Sequence, residues 1–151
     1  MECDFYQLKN CLYELSSNSS PKWGFMSANQ MLYHCNTFIE ISLGTKKVSL
    51  TYRVLGKIFG KLFLRYLKSI DFDILKFKKN AKTLKVFIRF PTNIDFNSEK
   101  DSLLMHFNTL QKMNSKTIKH QLYGKIPTHL FKKLMYFHTS YHFYQFGVFD
   151  F

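Results

Sequence analysis

The chain has 151 residues, of which 22 are Lys or Arg and 10 are Asp or Glu, for a formal net charge of +12. Hydrophobic residues make up 46% and aromatic residues 18%, with 17 Phe and 9 Tyr. That composition excludes a disordered chain and supplies core for one domain over residues 1–151. Three prolines and six glycines exclude collagen-like and Pro-rich classes. No stretch of about 18 uncharged apolar residues predicts a transmembrane helix. The start, Met1-Glu2-Cys3-Asp4, lacks the basic character of a secretory signal, so a cytoplasmic protein is expected. Cys3, Cys11 and Cys35 are odd in number and form no C-x-x-C pair, which points to structural thiols rather than a disulfide framework or zinc knuckle.

Residues 4–16 place Leu8, Cys11, Leu12 and Leu15 at i, i+3, i+4 and i+7, one face of an amphipathic helix. Turn-forming residues Ser16 to Pro21 end it. A second helix is expected from Ser27, because Ser27-x-x-Gln30 matches a capping box. Met31, His34, Phe38 and Ile41 form one apolar stripe and Leu32, Cys35, Ile39 and Leu43 its neighbour, so this helix should be well buried and should stop near Gly44. Residues 46–97 are less regular. Leu50 to Leu67 predicts a helix weakened by Gly56 and Gly60, and the strand-like run Leu84 to Phe90 ahead of Pro91 predicts extended or looped chain. Ser98-x-x-Asp101 signals a third long helix carrying Leu103, Leu104, Phe107, Leu110 and Met113. A fourth begins at Pro127-Thr128, with proline suited to the first helical position. Its stripes are Leu130, Leu134, Phe137, Tyr141, Tyr144 and Phe131, Met135, His138, His142, Gln145. The pattern is all-α: a four-helix bundle with a long crossover between the second and third helices.

His138 and His142 lie four apart on the last helix, so both imidazoles leave one face about a turn apart, within reach of one metal ion at about 2.1 Å. Neighbouring imidazoles in an apolar interior need donors or a cation for their lone pairs, and His34 stands in the same conflict among Met31, Phe38 and Ile41. Spacing leaves two alternatives open: three histidines sharing one divalent ion, or three unrelated core histidines. Gln30 and Gln145 are candidates to fix an imidazole tautomer, or else a cap and a surface amide.

The segment Trp23-Gly24-Phe25-Met26-Ser27-Ala28-Asn29-Gln30-Met31-Leu32-Tyr33-His34 resembles the W-G-x-M-[ST]-x-x-Q-M-x-x-H stretch of DinB-like (YfiT-like) proteins, in an uncharacterised branch. His120 to Ile126 and His138 to Gly147 resemble that branch's closing motif. Gln121, Phe131 and Tyr141 depart from the family pattern, where Pro, Trp and His are expected. The resemblance covers most of the chain and implies a metal-binding four-helix bundle whose ligands map onto His34, His138 and His142. It also implies a metal-dependent transferase or hydrolase acting on a small molecule, often with a low-molecular-weight thiol. The cofactor would be a divalent ion (Zn, Ni, Fe or Mn), and a homodimer is compatible with such bundles. No catalytic side chain is assigned, and no G-x-S-x-G elbow or P-loop is present.

Residues 46–90 hold 13 Lys or Arg against Asp71 and Asp73, a difference of +11. Arg53, Lys57, Lys61, Arg65 and Lys68 form a stripe opposite Leu55, Ile58, Leu62 and Phe63, a pattern that can lie on an anionic membrane or track phosphates. Only 3 of the 22 basic residues are Arg, which disfavours nucleic-acid recognition. The balance favours a solvated face whose field draws anionic small substrates. The competing functional class is a non-enzymatic basic binding module, for an anionic surface or nucleic acid, with structural histidines.

Overall fold

A computed structural model describes residues 3–150. The chain is mostly helical, in the order α1 (Phe5–Glu14), α2 (Ala28–Leu43), α3 (Leu50–Ser69), a 3-10 turn (Lys85–Phe87), α4 (Phe96–Lys112), the hairpin β1 (Thr117–His120) and β2 (Gly124–Pro127), and α5 (Thr128–Gln145). No helix among the described residues is long and apolar enough to cross a membrane.

Local chemistry explains most boundaries. Asp4 caps α1 by accepting from the Tyr6 and Gln7 amides, and the stripe Leu8, Cys11, Leu12, Leu15 is buried. In α2 the capping box forms in both directions between Ser27 and Gln30, and Gly44 closes the helix in the left-handed region at φ +85°. Gln30 is therefore a cap rather than a partner of a histidine. The α4 start differs from expectation. Asp95 takes the cap by accepting from Ser98 N at 2.8 Å, so the helix begins at Phe96 and the Ser98/Asp101 pair lies inside it. Pro127 sits at the cap position of α5 rather than within the first turn.

The run Leu84–Phe90 takes the looped of the two expected forms, with a short 3-10 turn that directs Phe87 into the core. One feature, the hairpin, departs from the expected all-helical pattern. The hairpin pairs Ile118 with Ile126 and His120 with Gly124. Its strands have four residues each and juxtapose Lys119 with Lys125, so no alternation announces them. The His120 ring closes the turn, with Nδ1 accepting from the Leu122 and Tyr123 amides at 3.0 and 3.3 Å. Gln121, where the resembled family has Pro, donates to the Ile41 and Lys46 carbonyls and accepts from Val48 N, tying the chain after α2 to this turn.

α1 and α2 each pack against both α4 and α5. α5 is buried on nearly every face, through Phe131, Leu134, Met135, Phe137 and Phe143 among others. α3 instead lies on the hairpin turn. Gly56 and Gly60, one turn apart, form a notch in which Leu122 and Tyr123 sit; a Cβ at Gly56 would come within 2.7 Å of Leu122 Cδ2, and one at Gly60 would collide with the Tyr123 ring. The glycines that weaken the helix locally are what let it dock.

Alanine in a helix interior ordinarily improves on glycine by about 1 kcal/mol. Gly60→Ala should nevertheless lower the stability by roughly 1–2 kcal/mol, because overpacking against a buried aromatic outweighs that gain. Chemical denaturation checks this; a stabilised variant would show that α3 is not held by the notch.

Candidate metal centre

α2 contributes His34 and α5 contributes His138 and His142 to one triangle. The ring centroids lie 4.9 Å apart for His34 and His138, 4.7 Å for His34 and His142, and 4.8 Å for His138 and His142. One donor atom from each ring falls within 4.8 Å of the others. His34 and His142 are buried and His138 is partly exposed. The separation of 104 residues between His34 and His138 is closed by the packing of α2 on α5.

The surroundings fix two tautomers. A peptide carbonyl only accepts, so the Phe87 oxygen, 2.7 Å from His34 Nδ1, places the proton there and leaves the lone pair on Nε2. The same logic runs through one more residue at His142. The Trp23 carbonyl accepts from Gln145 Nε2 at 2.6 Å, which orients the amide so that its Oε1 faces His142 Nδ1 at 2.9 Å. His142 Nδ1 therefore carries its proton, and its Nε2 is the free donor atom.

His138 Nε2 lies 3.0 Å from His34 Nε2. Two donors bound to one ion at about 2.1 Å are separated by about 3.0–3.4 Å for bond angles between octahedral and tetrahedral, so this pair fits a shared cation. Without a cation, one proton on His138 Nε2 satisfies His34. In both cases buried His138 Nδ1 has no hydrogen-bond partner, and the ring instead stacks on Phe38 at 3.9 Å and 17°. His120 likewise leaves one buried ring nitrogen, Nε2, without a partner; what distinguishes His138 is that its other nitrogen meets a second imidazole.

Burial depresses the pKa of all three rings: His34 is lowered, His142 falls to about 3, and His138 lies well below the usual range, its two neighbours adding to the desolvation. Neutral rings are the ligating form. Among the described residues no carboxylate joins the group. The three cysteines stand apart from it in role: none is in a disulfide, and burial raises the Cys11 thiol to about 11 and the Cys35 thiol further.

Of the two alternatives that spacing leaves open, the structure brings the three histidines together, and it gives Gln145 the orienting role. Phe87 and Trp23 act through backbone carbonyls, which carry no side-chain signature. Trp23 is held by edge contacts with Tyr141 and Tyr144 and by the Lys79 ammonium 4.4 Å above its ring. Gly24 follows it at φ +88°, where a Cβ would fall 2.6 Å from Gln145 Nε2, so glycine there keeps room for the orienting amide. Two surface grooves lie between α3 and the hairpin, away from the histidines. No family model matches the chain, and no curated protein or solved structure does either.

The pH response follows from the depressed values. Unfolded histidines titrate near 6.5, whereas folded His120 and His142 hold out to about 3 because burial disfavours their charged forms. The unfolded chain then binds more protons as pH falls below about 6.5, so stability is full above that value and declines below it. Between about pH 6.5 and 5 the loss is about 2 kcal/mol for His120 alone. Melting of metal-free protein should drop correspondingly over this interval; an unchanged melting temperature at pH 5 would contradict the burial of neutral rings.

Proposed function

We propose that the chain is a divalent-metal-dependent enzyme of the DinB-like class, acting on a small molecule as a transferase or hydrolase. In this reading α1, α2, α4 and α5 make the four-helix bundle and residues 44–95 its crossover. His34, His138 and His142 would hold the ion. The observation that carries the reading is the pair of carbonyl-fixed tautomers, which leave Nε2 as the lone-pair atom of both His34 and His142 in a group whose ligating atoms lie within 4.8 Å of one another. A cation held by three neutral imidazoles keeps its full charge and lowers the pKa of a thiol or water beside it.

The chain's own groups supply the rest. The Phe87 carbonyl and Gln145 hold two rings in place, Phe38 fixes the third, and apolar packing surrounds α5. The net charge of +12 favours an anionic substrate. Zn, Ni, Fe and Mn all accept imidazole ligands, and the donor set does not choose among them.

Metal analysis and calorimetric titration of untagged protein test the reading. About one equivalent should bind, and saturation at about a hundredfold above Kd should stabilise the fold by about 2.7 kcal/mol. His138→Ala should abolish retention and remove that stabilisation, while an equal melting shift with and without metal would identify an ordinary core histidine. Less than about a tenth of an equivalent, with no uptake on titration, overturns the assignment.

A separate expectation concerns Gln145. Gln145→Ala should leave the three rings present but weaken metal affinity about 10–100-fold, because His142 loses the group that fixes its tautomer. Competition with a chromophoric chelator measures this, and an unchanged affinity would show that Gln145 serves packing alone.

A further inference from the structure

α3 presents its apolar stripe to solvent. An amphipathic helix ordinarily buries such a stripe, yet Val54 is 51% exposed, Leu55 39%, Ile58 58%, Phe59 62% and Leu62 54%. The face that α3 does bury is the glycine notch with Leu64 and Leu67. Going around the helix, the notch is followed by the basic stripe Arg53, Lys57, Lys61, Arg65 and Lys68, all exposed, and then by the apolar ridge.

The basic band is wider than the helix. Grooves of about 570 and 270 Å³ run along the seam between α3 and the hairpin. Lys57, Lys119 and Lys125 line the first, and Lys61, Arg65 and Lys68 the second. Residues 41–70 contain no Asp or Glu. None of the five α3 cations forms an ion pair among the described residues. A second copy of this chain would bring the same cations against themselves. Nucleic acid would use the cations but leave the apolar ridge in water.

We propose that α3 and the hairpin form a docking face for an anionic lipid surface. The ridge Val54–Leu55–Ile58–Phe59–Leu62 enters the acyl boundary, and the adjoining Lys/Arg band lies on the headgroup phosphates. The glycine notch fixes the helix on the hairpin and leaves the two adjoining bands on its exposed side. This proposal is independent of the histidine triangle.

The test is flotation of the full chain with vesicles of phosphatidylcholine alone, or with about one third phosphatidylglycerol. Binding to the anionic vesicles should exceed binding to the neutral ones about tenfold and weaken as salt is raised. Ile58→Ser/Leu62→Ser and Lys57→Glu/Lys61→Glu should each reduce it about tenfold while leaving melting and metal content unchanged, since all four side chains are exposed. Absence of flotation, or equal flotation with both vesicles, overturns the proposal. So does gel filtration showing a dimer that Leu62→Ser dissociates, which assigns the ridge to a second copy. Binding to duplex DNA that is tighter than to vesicles and unaffected by Ile58→Ser/Leu62→Ser assigns the cations to nucleic acid instead.

Discussion

Three imidazoles in one corner of a protein interior oblige the surroundings to decide which nitrogen of each carries the proton. Water is largely excluded, so an unmatched donor or acceptor has no recourse. Two peptide carbonyls make the decision. The Phe87 oxygen acts directly on His34, and the Trp23 oxygen acts on His142 through the amide of Gln145. Acceptors that cannot donate leave no second tautomer for these rings. His138 is placed differently, by stacking on Phe38 and by its contact with His34 rather than by a carbonyl.

This constraint explains why segments without regular structure matter as much as the helices. The chain between α3 and α4 delivers Phe87, buried through its side chain and bonded through its backbone. The chain between α1 and α2 delivers Trp23, pinned between Tyr141 and Tyr144, with Gly24 leaving space for Gln145 beside it. α5 is the common support: it carries two histidines and the orienting glutamine, and its near-complete burial limits the motion of all three. The same burial keeps the rings neutral, so the property that suits them to bind a cation is also one that costs stability in acid.

α3 obeys a different logic. Its outward side combines exposed aliphatic and aromatic groups with cations that form no ion pair among the described residues. Its buried face is limited to Gly56 and Gly60, against Leu122 and Tyr123, together with Leu64 and Leu67, which leaves much of the helix circumference open. The positive charge and the histidine triangle are thereby segregated. The histidine triangle is neutral and sits between α2 and α5, while two lysine-lined grooves lie at the hairpin seam.

Patterns that depend on near neighbours were legible in the amino-acid sequence: the stripe Leu8–Cys11–Leu12–Leu15, the Ser27–Gln30 box, the stop at Gly44, and the four-residue step from His138 to His142. Local sterics and helical periodicity fix these whatever the rest of the chain does. The convergence of His34 on that pair was an open alternative until α2 met α5. The hairpin, the Asp95 cap, the Phe87 turn and the direction in which α3 faces were decided only by the tertiary structure. Each depends on a partner distant in the chain or on a backbone carbonyl that every residue possesses, and residue type alone does not single out such a group.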